Sequence, residues 1–93
     1  MTPNEIAILI TRAAKLMDVT PAAIMTSPRK ARHPDIIARR LVFYQMHRKG
    51  ENLKRIGKAL GRTSDPARVG IRWMAAREKE FARELAVMDG REG

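Results

Sequence analysis

The sequence predicts an all-α fold: a small domain of five to six helices with a helix-turn-helix in its second half. Three observations predict it. Apolar residues recur at three- and four-residue spacing through most of the chain, the period of one helix face. Proline stands repeatedly at the start of such a segment, behind a residue suited to capping, where its missing N–H is not needed. No run alternates apolar and polar residues as a half-buried strand does, and no internal repeat or low-complexity tract interrupts the pattern. Ninety-three residues, 44% of them apolar, suffice for one domain with one small core. We expect that domain over residues 1–88, with 89–93 as a frayed tail.

The elements follow in order. Thr2-Pro3-Asn4-Glu5 starts the first helix, with Thr2 as N-cap and Glu5 closing a capping box. Ile6, Leu9, Ile10, Ala13, Leu16 and Met17 form its apolar face. Asp18 and Val19 lead to Thr20-Pro21 and a short second helix through about Met25. A basic loop, Thr26 to Pro34, is held between Pro28 and Pro34. The third helix runs from about Pro34 to Lys49, with Ile37, Leu41 and Tyr44 as one stripe and Ile36, Val42 and Phe43 widening it; Gly50 ends it. Asn52 caps a fourth helix, Leu53–Leu60, which faces inward with Leu53, Ile56 and Leu60, and Gly61 stops it. The turn Arg62-Thr63-Ser64 leads to Asp65-Pro66, a cap-plus-proline start for a fifth helix extending to about Met88, with a kink or break near Arg77–Lys79 left open. Val69, Trp73 and Ala76 are its first apolar stripe; Phe81, Leu85 and Met88 are a later one.

Charge points to the class of partner. Nineteen Lys and Arg stand against ten Asp and Glu, for a net charge of +9. Residues 1–26 are neutral, 27–50 carry +6, 51–77 carry +5 and 78–93 carry −2, so the excess lies wholly in the middle. A localised positive field favours nucleic acid or an anionic membrane. The absence of cysteine removes disulfides, thiolate zinc sites and thiol nucleophiles. It also fits a reducing compartment. MTPNEIAILI lacks the basic flank and cleavage site of a signal peptide, and no apolar run approaches the length of a membrane span. The expected location is therefore the cytoplasm, on the nucleoid.

The helix-turn-helix carries the functional reading. On the second of its helices Arg68, Arg72, Ala75 and Lys79 fall within an arc of roughly 60° beside the apolar stripe. A basic stripe holding a small residue suits a DNA groove lined with phosphates, although on a lone helix it would only solvate a face. Arg62, Thr63, Ser64 and Asp65 stand at the helix start, where side chains and free N–H groups can meet base edges or phosphate. Arg29, Lys30 and Arg32, extended between two prolines, can follow the backbone or enter a minor groove, or else form a solvated loop. Lys54, Arg55 and Lys58 read as phosphate contacts, with Arg39, Arg40, Arg48 and Lys49 in support.

In the same order, LMDVTPAAIMTS, SPRKARHPDIIARRLVFYQMHRKG, NLKRIGKALGR and DPARVGIRWM resemble segments of the C-terminal DNA-binding domain (domain IV) of the bacterial replication initiator DnaA. That family has a Trp-repressor-like helix-turn-helix fold. The similarity spans about Ile6 to Glu78 and includes the family's Ile-Gly pair, here Ile56-Gly57. It implies a shared fold, a basic loop on the DNA and a recognition helix in the major groove. The family's base-reading motif, Gly-Arg-Asp-His-Ser/Thr-Thr-Val, is altered: Pro66 and Ala67 replace the His and Ser/Thr, and the turn is one residue longer. Asp35 stands after Pro34 where the family has its minor-groove arginine, which moves that contact to Arg32 or His33 or removes it. The resemblance thus implies the fold and not the DNA sequence read. The initiator's ATPase is not implied, because the chain has no phosphate-binding loop motif.

No constellation of an enzyme is present in the sequence: His33 and His47 lack a partner at ligand spacing, and Thr63 and Ser64 lack a base. No cofactor is expected. The leading expectation is a sequence-specific double-stranded DNA-binding protein, a small bacterial, phage or mobile-element transcriptional regulator. The alternative is an interaction module docking an acidic partner of the replication or transcription machinery; membrane binding ranks last. The stripe Phe81, Leu85 and Met88 has two readings: it completes the core against the first helix, or it joins two subunits in a homodimer. Trp73 reads as structural rather than as a base-stacking platform.

Overall fold

A computed structural model describes residues 1–26 and 33–90. Among them are six α-helices and no strand: α1 (Pro3–Met17), α2 (Pro21–Thr26), α3 (Pro34–Arg48), α4 (Leu53–Ala59), α5 (Ser64–Ala75) and α6 (Ala82–Met88). None is long and apolar enough to cross a membrane. The all-α expectation holds. The helix starts are set as the sequence implies. Thr2 Oγ1 accepts from the Glu5 N–H at 3.2 Å, and the Glu5 carboxylate accepts from the Thr2 N–H at 3.3 Å, completing the capping box. Thr20 accepts from the Ala23 N–H at 3.1 Å, and Asn52 from the Arg55 N–H at 2.9 Å.

Helix α3 is the axis of the domain and contacts every other helix. Eleven of its fifteen residues are buried, among them Leu41, Val42, Phe43 and Met46. Such a helix needs apolar residues around most of its circumference, which is why the stripe read from the sequence was so wide. Asp35, Arg39 and Gln45 are buried among them. Gln45 donates to Asp89, and Arg48 lies 3.3 Å from the same carboxylate. Asp89 is therefore tied to α3, and Arg12 bonds the Met88 carbonyl at 3.2 Å. The expected fraying does not begin at 89; residues 91–93 lie outside the described residues.

The long fifth helix divides. α5 ends at Ala75, residues 76–81 form turns, and α6 begins at Ala82. The break turns Phe81, Leu85 and Met88 into the core, where their exposures are 7%, 4% and 0%. α6 packs against α1 and α3. The core-completing reading of this stripe holds, and the homodimer through it is corrected: side chains so enclosed offer no surface to a second subunit.

The break is held across the fold by the Tyr44 hydroxyl, which donates to Glu78. Burial first, and this hydrogen bond second, raise the Tyr44 phenol above its ordinary value near 10. As pH rises, the unfolded chain then loses the proton before the folded one does. The contribution is complete below about pH 10 and fades above it. The expected result is a melting-temperature gap between the native chain and Tyr44→Phe that narrows as pH is raised beyond about 10; a constant gap would contradict it.

Candidate nucleic-acid interface

The turn between α4 and α5 is built on two glycines. Gly61 adopts φ +65°, a left-handed conformation that L side chains rarely hold, and so reverses the chain at the end of α4. Gly57 acts through its missing Cβ, which would lie 2.3 Å from the Thr63 carbonyl oxygen. The Gly57 carbonyl in turn accepts from the Leu60 N–H at 3.2 Å and the Arg62 N–H at 2.8 Å. Ile56 and Leu60, both fully buried, anchor α4 inward. The result is a short helix, a tight turn and a second helix in mutual contact.

Two details of α5 differ from expectation. It begins at Ser64 with Thr63 as N-cap, so Asp65 and Pro66 lie within its first turn instead of capping it. The buried face is Ala67, Gly70, Ile71 and Met74, not Val69, Trp73 and Ala76. Val69 is 55% exposed, Ala76 is exposed and Trp73 is half-buried. The cause is close docking on α3: a Cβ on Gly70 would come within 3.0 Å of both Arg40 Cγ and the Phe43 ring. Small residues must face such a crossing, which turns the larger Val69 outward.

The basic stripe survives this rotation. Arg68 and Arg72 are exposed on α5, with Asp65 and Ala75 also exposed, and Arg68 lies 3.2 Å from Asp65. Lys79 falls in the turn after α5, outside the helix. Thr63 is exposed and makes no side-chain capping bond; Ser64 is half-buried. Lys54, Arg55 and Lys58 are exposed on α4, with Arg55 3.4 Å from Glu51. Arg29, Lys30 and Arg32 lie outside the described residues.

Several cations serve the fold instead. Arg39 Nε donates to the Ile24 carbonyl at 2.6 Å, and Arg62 Nη2 donates to the Met25 carbonyl at 3.0 Å. These carbonyls belong to the end of α2, whose last turn has no intrahelical donors, so two guanidinium groups satisfy it and complement its dipole. Arg39 is only 7% exposed, which corrects its supporting role in phosphate contact. Arg62 is half-buried and engaged in the same way. Arg40 and Arg77 lie over the Trp73 ring at 4.8 and 4.2 Å from its centroid, and Phe81 is 5.6 Å away. That environment accords with a structural Trp73. Burial lowers the pKa of both Arg39 and Arg40, with neighbouring guanidinium groups adding to the effect. Arg48 sits 5.9 Å from the Tyr44 ring centre as well as beside Asp89; Lys49 is exposed.

The exposed Val69 was missed because a branched apolar residue at helical spacing normally faces a core. The signal that could have found it is the pair Ala67 and Gly70, small residues marking where α5 approaches α3. Among known proteins, no family model, no curated sequence and no solved structure matches this chain.

Proposed function

We propose that the chain is a sequence-specific double-stranded DNA-binding protein, a small bacterial, phage or mobile-element transcriptional regulator acting without catalysis on the nucleoid. The observation that carries the reading is the exposed Arg68–Arg72 stripe on the second helix of a helix-turn-helix, in a chain of net charge +9. In this reading α5 enters the major groove and Arg72 meets base edges, while Lys54 and Lys58 hold phosphates. The basic segment Arg29, Lys30 and Arg32 follows the backbone or the minor groove. The resemblance to the initiator's DNA-binding domain supports the same arrangement.

The test is mobility shift with random and selected duplexes. With about six phosphate contacts, affinity falls on the order of a thousandfold between 50 and 200 mM salt. Arg72→Ala is expected to lose discrimination between selected and random duplex, by about 1–3 kcal/mol. Lys58→Ala weakens both about equally. Equal losses for the two variants would remove Arg72 from base reading. No shift of random duplex at micromolar protein and moderate salt would overturn DNA binding and favour an acidic protein partner.

A further inference from the structure

Val69 is one of two large apolar side chains exposed among the described residues; the other, Ile8, lies on α1. It stands four residues after Asp65 and three before Arg72, so all three share one face of α5. By helical projection Val69 is about 40° from Asp65 and about 60° from Arg72. This face therefore presents a branched apolar group between the Arg72 guanidinium and the Asp65 carboxylate, and Asp65 is in turn paired with Arg68 at 3.2 Å. Val69 also edges a groove between α3 and α5 whose apolar wall includes Ile36, Phe43 and Pro66.

Resting on the major-groove reading above, we propose that Val69 reads the 5-methyl group of a thymine. The thymine methyl is the apolar group that the four bases present in the major groove. A lipid or apolar peptide seated on Val69 would draw Arg68 and Arg72 out of water with it. Duplex DNA instead gives the guanidinium groups phosphate or guanine acceptors while the methyl covers Val69. Charge and apolar contact are then satisfied by one ligand. Specificity at that base pair comes from Val69, and at a neighbouring pair from Arg72.

The test is selection of binding sites from random duplex by the full chain, followed by replacement of each thymidine in the selected site with deoxyuridine. Loss of one buried methyl is expected to weaken native binding about fourfold at one or two positions. Val69→Ala binds the thymidine site about fourfold more weakly, and deoxyuridine at that position then changes nothing further. Because Val69 is 55% exposed, the variant keeps its fold, checked by an unchanged circular dichroism spectrum. Selected sites insensitive to deoxyuridine, or equal sensitivity in Val69→Ala, would overturn the role of Val69 and leave the major-groove reading standing. A pool that shows no enrichment would overturn both.

Discussion

Gly57→Val is expected to prevent stable folding, and Gly57→Ala to lower stability by about 2–3 kcal/mol. Two effects oppose each other in the alanine variant. Replacing a mid-helix glycine with alanine ordinarily gains up to about 1 kcal/mol. Here the new Cβ would lie 2.3 Å from the Thr63 carbonyl oxygen, with the Thr63 carbonyl carbon at 2.6 Å. The obstacle is backbone, not the end of a flexible side chain, so only a shift of the turn relieves it. Overpacking of this kind costs about 1–3 kcal/mol, occasionally more. The shift also strains the two N–H bonds accepted by the Gly57 carbonyl, each worth about 1 kcal/mol. The clash therefore outweighs the propensity gain. For a domain of this size each kcal/mol moves the melting temperature by about 4–8 °C. Valine adds two more carbon atoms in the same space. Thermal unfolding checks the order, native above alanine above valine; an alanine variant that melts higher than the native chain would refute the close approach of α4 to the turn.

Local chemistry made the helix starts legible. Thr2, Thr20 and Asn52 bond within three residues of themselves, so the sequence contains both partners. The wide apolar stripe of α3 was also readable, in Ile36, Ile37, Leu41, Val42, Phe43 and Tyr44, whereas the burial of Asp35, Arg39 and Gln45 beside it was not. The rotation of α5 was not. Hydrophobic periodicity weighs Val69 and Trp73 above Ala67 and Gly70, whereas close packing on Phe43 and Arg40 selects the small residues. The start of α5 was displaced for a related reason: Asp and Pro are favoured throughout a first turn, so Asp65-Pro66 was compatible with two boundaries.

The cations of the candidate interface divide along the same line. Exposure of Lys54, Lys58, Arg68 and Arg72 follows from their helical registers. The roles of Arg39 and Arg62 depend on Ile24 and Met25, far away in sequence, and no local pattern pairs them. A net charge of +9 thus overstates the exposed basic surface, since part of it closes α2 and part of it covers Trp73. What remains outward on α4 and α5 is narrower: Lys54, Arg55, Lys58, Arg68 and Arg72.

Leu85→Asp is expected to unfold the chain. Leu85 is 4% exposed between Phe81 and Met88, on a helix that packs against both α1 and α3. Truncating such a leucine to alanine costs about 2–5 kcal/mol. An aspartate at the same place adds the cost of enclosing an unpaired carboxylate, several kcal/mol more. Together these rival the whole stability of a small domain, about 5–15 kcal/mol. The homodimer reading of this stripe requires the opposite result. Were Phe81, Leu85 and Met88 a subunit interface, the aspartate would split the dimer and leave folded monomers with native helix content. Circular dichroism with light scattering separates the outcomes: loss of helix and of the cooperative transition is expected, and a helical species at half the native mass would restore the interface. Leu85→Ala gives the milder check, a folded chain whose melting temperature is reduced and independent of protein concentration.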